Sequence, residues 1–542
     1  MATITISKKV FESLVGKKLP FTELEERISL FGTPFENLNG DELSIEVFPN
    51  RPDILSVQGY ARAFSAFIGH KKGLRKYDIK KLGEKVIIDS SVNSVRPFTA
   101  CAIVKGLKFG DEKIKEVIDI QEKLHLTFGR NRKKLAIGIY PYEKIKTPIT
   151  FFAADPKTVK FRPLEFPKEI TGLQILSQHP TGREYAYLLE GQKKFPFFKD
   201  VNGKILSMPP IINSHETGKI AGKTKDVFIE CSGFDFKVLN KCLNIIVTAL
   251  ADMGGQIYSM ELNYGKKKYV TPNLTPERMK LNIKYVNKIL GLNLKENEIK
   301  NYLERMGYSY SKGTVLIPAY RTDILHEIDL VEDIGIAHGY EKLKEEIPKV
   351  ATIAEENKFE IFKNKIAEIL IGLGLTEVNT YHLVPSTINK KINLNENNVK
   401  LENSKSEEYN SLRSYLSPSL LSVLENNKNR EYPQNIFEMG LVVKKDFEEK
   451  TKLCILLCDN KTNFTSIKQI LDQLCAMLNV TYNLEETELN AFILGRAGKI
   501  IINKEKIGSI GEISPLVLTN FGLEIPVSAL ELDLNALIRM IK

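Results

Sequence analysis

A chain of 542 residues carrying 77 Lys and Arg against 67 Asp and Glu has a net charge of +10, with 43% hydrophobic residues. This is the make-up of an ordinary soluble globular protein of about three or four domains, and it permits a nucleic-acid partner without demanding one. Six cysteines with no Cys-x-x-Cys pair argue against disulfides and structural zinc, and apolar runs such as 453–458 fall far short of a membrane span, so a cytoplasmic protein is expected.

The start, MATITISKKVFESLVGKKL, alternates over Thr3 to Ile6 and then turns helical, without the apolar core of a signal peptide. In FPNRPDILSVQGYARAFSAFIG (48–69), Ile54, Val57, Tyr60, Ala61, Phe64 and Phe67 recur at helical spacing, with Pro52 or Asp53 as the expected start. The turn Pro49-Asn50-Arg51-Pro52 either offers an exposed arginine or serves capping and packing. Residues 1–85 read as an N-terminal module.

Residues 86–265 read as an α+β domain with a substantial mixed sheet. Its expected strands include 85–90, 101–107, 135–140, 184–190 and 226–233, and its helices lie at about 111–126 and 235–252. The basic loop GRNRKK (129–134) is a solvated turn or a phosphate contact. Gly218-Lys-Ile-Ala-Gly222-Lys223-Thr224 imitates a P-loop but has three residues between its glycines where four are needed, which would misplace the cradling amides. A P-loop NTPase is therefore rejected.

Residues 269–345 form a smaller unit. A helix is expected from Thr275-Pro276-Glu277 to Gly291, with Leu281, Tyr285, Val286 and Ile289 on its buried side. A second helix ends at Gly307, a strand follows at 314–320, and then comes RTDILHEIDLVEDIGIAHGY (321–340). Its apolar residues Ile324, Leu325, Ile328, Val331 and Ile334 make it an amphipathic helix that stops at Gly339. Asp329, Glu332 and Asp333 share one patch, and Asp323 can be turned toward it by the preceding loop. Carboxylates this close repel one another unless a cation sits among them; hard oxygen donors favour magnesium or calcium, while the alternative is a solvated acidic helix face. After a charged linker, residues 350–542 read as another α+β domain, with a helix at 358–374 and strands that include EVNTYHLV and NIFEMGLVV.

The pattern as a whole resembles the phenylalanyl-tRNA synthetase beta-subunit family in its archaeal and eukaryotic form. RTDILHEIDLVEDIGIAHGY after VLIPAY resembles its winged-helix-like B5 domain, and FPNRPDILSVQGYARAF its N-terminal signature. PPIINSHETGK with DVFIECSGFD is similar to its B3/B4 editing domain. SLRSYLSPSLLSVLENNKNREYPQNIFEMG resembles its class II synthetase-like antiparallel α+β domain. The resemblance implies an α2β2 assembly in which the alpha subunit holds ATP, phenylalanine and the aminoacylation of tRNA-Phe. It also implies that this chain hydrolyses Tyr-tRNA-Phe, and that Asp323, Asp329, Glu332 and Asp333 bind Mg²⁺. Ser207, Asn213, Ser214, Glu230 and Ser232 are the expected editing residues, with Glu230 and Ser232 on one side of a strand. Arg413 stands roughly where a motif 2 arginine would, yet 521–534 contains no arginine to meet ATP's charge, so no complete activation site is expected here. The competing reading is a stand-alone tRNA-binding or trans-editing protein that needs no alpha subunit.

Overall fold

The computed structural model describes residues 2–108, 110–348, 350, 354–394 and 398–541, which form two compact units, Met1–Ile347 and Pro348–Lys542. In the first unit, Ala2–Ser7 and Phe35–Asn39 flank Glu42–Val47 in a three-stranded antiparallel sheet. Ile4 and Ile6 point inward while Thr3 and Thr5 face out, as the alternation requires. Pro52 begins only a short 3₁₀ turn; the α-helix starts at Val57 with the Ser56 hydroxyl accepting the N–H of Gly59. Arg51 does not reach out to solvent: it forms a two-pronged ion pair with Asp53 at 2.9 Å and lies over the Phe31 ring, the capping and packing role.

A ten-stranded mixed sheet dominates this unit. Ile79–Ile88 runs parallel to both neighbours, Gln256–Tyr264 and Ile149–Ala154, and the remaining pairs are antiparallel. Val227–Gly233 lies between Phe98–Lys105 and Leu135–Pro141 and is buried along its whole length. Helices Asp111–Leu126 and Phe236–Asp252 stand where their periodicity put them. The strand expected at 184–190 is instead a helix, Pro180–Tyr185, followed by a 3₁₀ turn. Its buried residues Tyr185 and Leu189 are four apart while Tyr187 is exposed, a helical rather than a strand period.

Beyond the sheet, Thr314–Ile317 pairs with Glu277–Lys280 on one side and Ser309–Ser311 on the other. The helix expected from Thr275 is thus partly a strand, because an adjacent strand edge takes up residues 277–280. The helix begins at Ile283, where Asn282 accepts the N–H of Lys284, and it ends at Gly291 in the left-handed conformation (φ 66°). One apolar cluster runs from Ile4 through helix Phe236–Asp252 to Ala337.

The second unit is a seven-stranded sheet, antiparallel except for the short pair Thr376–Glu377 with Gln434–Val443. Helices Lys358–Gly372 and Phe464–Met477 cover one face; Ser417–Asn427 and Pro515–Asn520 cover the other. The strand expected through 377–384 survives only as Thr376–Glu377 and Leu383–Val384. All six cysteines are buried free thiols, and among the described residues no helix is long and apolar enough to cross a membrane.

Candidate functional site

Three of the polar residues singled out in the sequence meet at one cavity. Ser207 on Ile205–Met208, Asn213 on Ile212–Asn213 and Glu230 on Val227–Gly233 line a space of about 560 Å³ at one end of the ten-stranded sheet. Pro209, Pro210 and Ile211 close one side, and helix Asp111–Leu126 contributes Gln121, Glu122 and His125 on another. The volume lies within the range of small-molecule sites.

Glu230 is the chemical centre of this cavity. It is 2% exposed, opposite Gly138 in the sheet register. A methyl group on Gly138 would stand 2.7 Å from Glu230 Oε1 and closer still to the Tyr140 hydroxyl, so only glycine leaves both groups their places. The Tyr140 hydroxyl contacts Glu230 Oε1 at 3.2 Å and Asn213 Oδ1 at 3.3 Å. Glu230 Oε2 and the Ser207 hydroxyl are buried without a hydrogen-bond partner. Burial pushes the Glu230 carboxyl up to about 8, against the opposing pull of Arg96. At neutral pH it is therefore mostly protonated, able to donate as well as accept a hydrogen bond.

Ser232 does not line this cavity. Its hydroxyl accepts from Arg96 Nε at 3.0 Å and its carbonyl from Arg96 Nη2 at 2.6 Å, so it anchors the guanidinium that faces Glu230. Ser214 is buried beside the cavity rather than in its wall.

Sequence reasoning missed the rest of the wall. His125 Nε2 accepts the N–H of Ile137 at 2.8 Å, which leaves the proton on Nδ1, facing Glu122. Glu122 in turn receives Arg132 through both carboxylate oxygens. Arg132 donates to the Ile211 carbonyl at 2.8 Å and lies over the Tyr185 ring. In the basic loop, Arg130, Asn131 and Arg132 all have positive φ, a tight left-handed run that turns Arg132 inward. A composition of five charged or polar residues in six hides that turn.

The acidic group on the last helix of the first unit is arranged around a cation of the chain's own. Arg321 is buried; it meets Asp323 at 2.9 and 2.6 Å and Asp333 at 2.8 Å, and Tyr308 adds its hydroxyl to Asp333. Burial raises the Asp323 carboxyl, and Arg321 more than offsets this, holding it at about 2. Asp329 Oδ2 accepts the N–H groups of Leu325 and His326 at 2.7 Å each, closing the start of helix Glu327–His338. Leu325 lies before this helix and is 84% exposed, outside the apolar face expected of it. Glu332 is exposed, and its carboxyl is raised by partial burial and by Asp333, Asp329 and Asp323. Among the described residues no three carboxylates stand ready-made around a metal ion. The donor chemistry suits a hard divalent cation, but Asp323 and one oxygen of Asp333 are already spent on Arg321.

In the second unit Arg413 is buried in an ion pair with Glu438 at 2.7 Å and also donates to Thr380 and to the Leu441 carbonyl. Gly440 makes room for it, since a methyl there would lie 2.3 Å from its Nη2. The guanidinium is thus consumed in holding two strands together. The P-loop imitation at 218–224 follows a single short helical turn, His215–Gly218, and cradles nothing.

Comparison with known proteins gives a consistent set of matches. The family described as phenylalanyl tRNA synthetase beta chain CLM domain matches residues 343–534, and the tRNA synthetase B5 domain matches 279–340. The chain is 40% identical to the phenylalanine–tRNA ligase beta subunit of Pyrococcus abyssi, over 99% of this chain and 100% of that one. It is 37% identical to the Archaeoglobus fulgidus subunit of the same name, over 99% and 98%. A crystal structure of an N-terminal fragment of the phenylalanyl-tRNA synthetase beta-subunit from Pyrococcus horikoshii aligns with a TM-score of 0.60 and 38% identity. That alignment covers 62% of this chain and 99% of the fragment.

Proposed function

The chain belongs to the phenylalanine–tRNA ligase beta-subunit family in its archaeal form, and on that premise we propose that it edits tRNA-Phe inside a cytoplasmic α2β2 ligase. The alpha subunit supplies ATP binding, phenylalanine recognition and aminoacyl transfer. The buried Arg413–Glu438 pair and the arginine-free stretch at 521–534 support that division, because neither leaves a cation for ATP. The winged-helix-like B5 domain at 269–345 and the class II-like domain at 350–542 then serve assembly.

The observation that carries the editing reading is the pair of unpartnered polar atoms, Glu230 Oε2 and Ser207 Oγ, in the wall of the 560 Å³ cavity. A phenol hydroxyl entering there would satisfy both, whereas a phenyl ring would leave them buried and unpaired. Sites built to bond a hydroxyl discriminate against its absence by about 10⁴-fold or more. Hydrolysis of the ester needs a positioned water and donors for the developing oxyanion rather than a side-chain nucleophile. His125 is a positioning residue, since its Nε2 is occupied by the Ile137 N–H. Deacylation of Tyr-tRNA-Phe by the assembled ligase tests this: Glu230→Ala should lose most of the rate and Ser207→Ala should lose selectivity for tyrosine. Parental rates in both variants would place editing elsewhere.

We further propose that Mg²⁺ is drawn to the exposed side of the acidic group, held by Glu332 with the oxygens of Asp329 and Asp333 that Arg321 and the helix start leave free. Asp323 would then act through Arg321 rather than as a direct ligand. Thermal melting with Mg²⁺ and with EDTA should differ for the parent and coincide for Glu332→Gln; coincidence in the parent would leave Arg321 as the sole cation there. The stand-alone hydrolase reading gains no support, because residues 343–534 match a synthetase subunit domain.

A further inference from the structure

The second unit has a cavity of its own, about 370 Å³, on the face of the sheet covered by helix Ser417–Asn427. Its floor is an ion pair between adjoining strands: Lys452 Nζ lies 2.7 Å from Glu531, with side chains only 16% and 10% exposed. The pair is held in place from two sides. Glu531 Oε2 accepts the Ser417 N–H at 3.0 Å, and the Lys452 ammonium sits over the Tyr415 ring at 4.7 Å. At the rim, Lys450 meets Asp533 at 3.1 Å and Lys444 meets Glu448 at 2.9 Å. Lys506 also lines the cavity and has no carboxylate partner among the described residues. Four lysines therefore face two carboxylates in the lining, and one ammonium is unmatched. The opposite wall is apolar, formed by Leu421, Phe492 and Ile513.

A concave site with one cationic edge and one apolar, partly aromatic wall suits a ligand with a flat body and a single anionic head. We propose that this cavity binds a mononucleotide-sized ligand, its phosphate beside Lys506 and Lys450 and its base against Phe492 and Leu421. Burial and the neighbouring Lys499 and Lys452 lower the Lys506 ammonium, a strain that an incoming anion relieves. The role is binding only: nothing in the lining supplies a nucleophile or a second cation for phosphate chemistry. The site is separate from the editing cavity, so its failure and the failure of the editing reading are independent.

Isothermal titration of the full-length chain with AMP tests the proposal, with pyrophosphate and phenylalanine titrated separately. One saturable site for AMP is expected in the millimolar range or tighter, weakening as salt is raised. Lys506→Glu should weaken it about tenfold, because two units of charge change beside the phosphate, and Lys506→Ala should weaken it less. Both should melt as the parent does, since Lys506 is exposed. Absence of saturable AMP binding, or binding that Lys506→Glu leaves unchanged, would overturn the proposal. Pyrophosphate binding as tight as AMP would also overturn it, by reducing the site to a simple anion patch.

Discussion

Glu230 is a glutamate kept protonated by its surroundings, and that has a measurable pH signature. Its folded value of about 8 exceeds its ordinary 4.5, so between those values the folded chain holds a proton that the unfolded chain has released. Stability is fully present below pH 4.5 and falls as pH rises toward 8, by on the order of 4 kcal/mol if the group is isolated. Glu230→Gln should flatten that fall and raise the melting temperature at pH 8 relative to the parent; parallel pH profiles would mean the carboxyl is ionised in the fold. Arg321 poses the opposite case, a buried cation between two carboxylates. Arg321→Met should cost about 3–5 kcal/mol in urea unfolding, because Asp323 and Asp333 would be left buried and unpaired. A loss under about 1 kcal/mol would show those carboxylates already neutralised by something else. At this scale the sequence was partly legible. Glu230, Ser207 and Asn213 could be picked out as polar residues, but that Ser232 turns to Arg96 follows from a contact 136 residues away, which no local spacing reveals.

Elements with long, strong periodicity were readable, and short ones were decided by their neighbours. Helices Asp111–Leu126, Phe236–Asp252 and Lys358–Gly372 lie where the apolar spacing put them, since each buries a continuous stripe. Residues 275–282 read as a helix start because Thr-Pro-Glu is a good one in isolation. The strand Thr314–Ile317 pairs with Glu277–Lys280 and moves the start to Asn282. Asn282→Ala should therefore cost about 1 kcal/mol in chemical denaturation, while Thr275→Ala should cost little; the reverse order would restore the earlier start. Tyr185 and Tyr187 make the same point: alternation of aromatic letters suggested a strand, and the period of burial is helical.

At the scale of the molecule, the account is a division of labour between two unlike chains. One compact unit carries the cavity around Glu230; the other keeps a synthetase-like sheet whose arginine is spent on Glu438. A sheet domain that retains its fold without the cations that hold ATP is best explained as a surface for a related partner, and obligate interfaces of this kind commonly bury more than about 2,000 Å². The overall organisation was legible in the sequence through four family-like stretches in order, whereas the use of Arg413 as a strut was open until its partners were placed. The most direct measurement is ATP–pyrophosphate exchange with phenylalanine, run on the purified chain alone and again with an alpha subunit added. The account predicts no exchange from the chain alone and synthetase-like exchange with the partner. Exchange by the chain alone at a synthetase-like rate would contradict it and return the activation site to this chain.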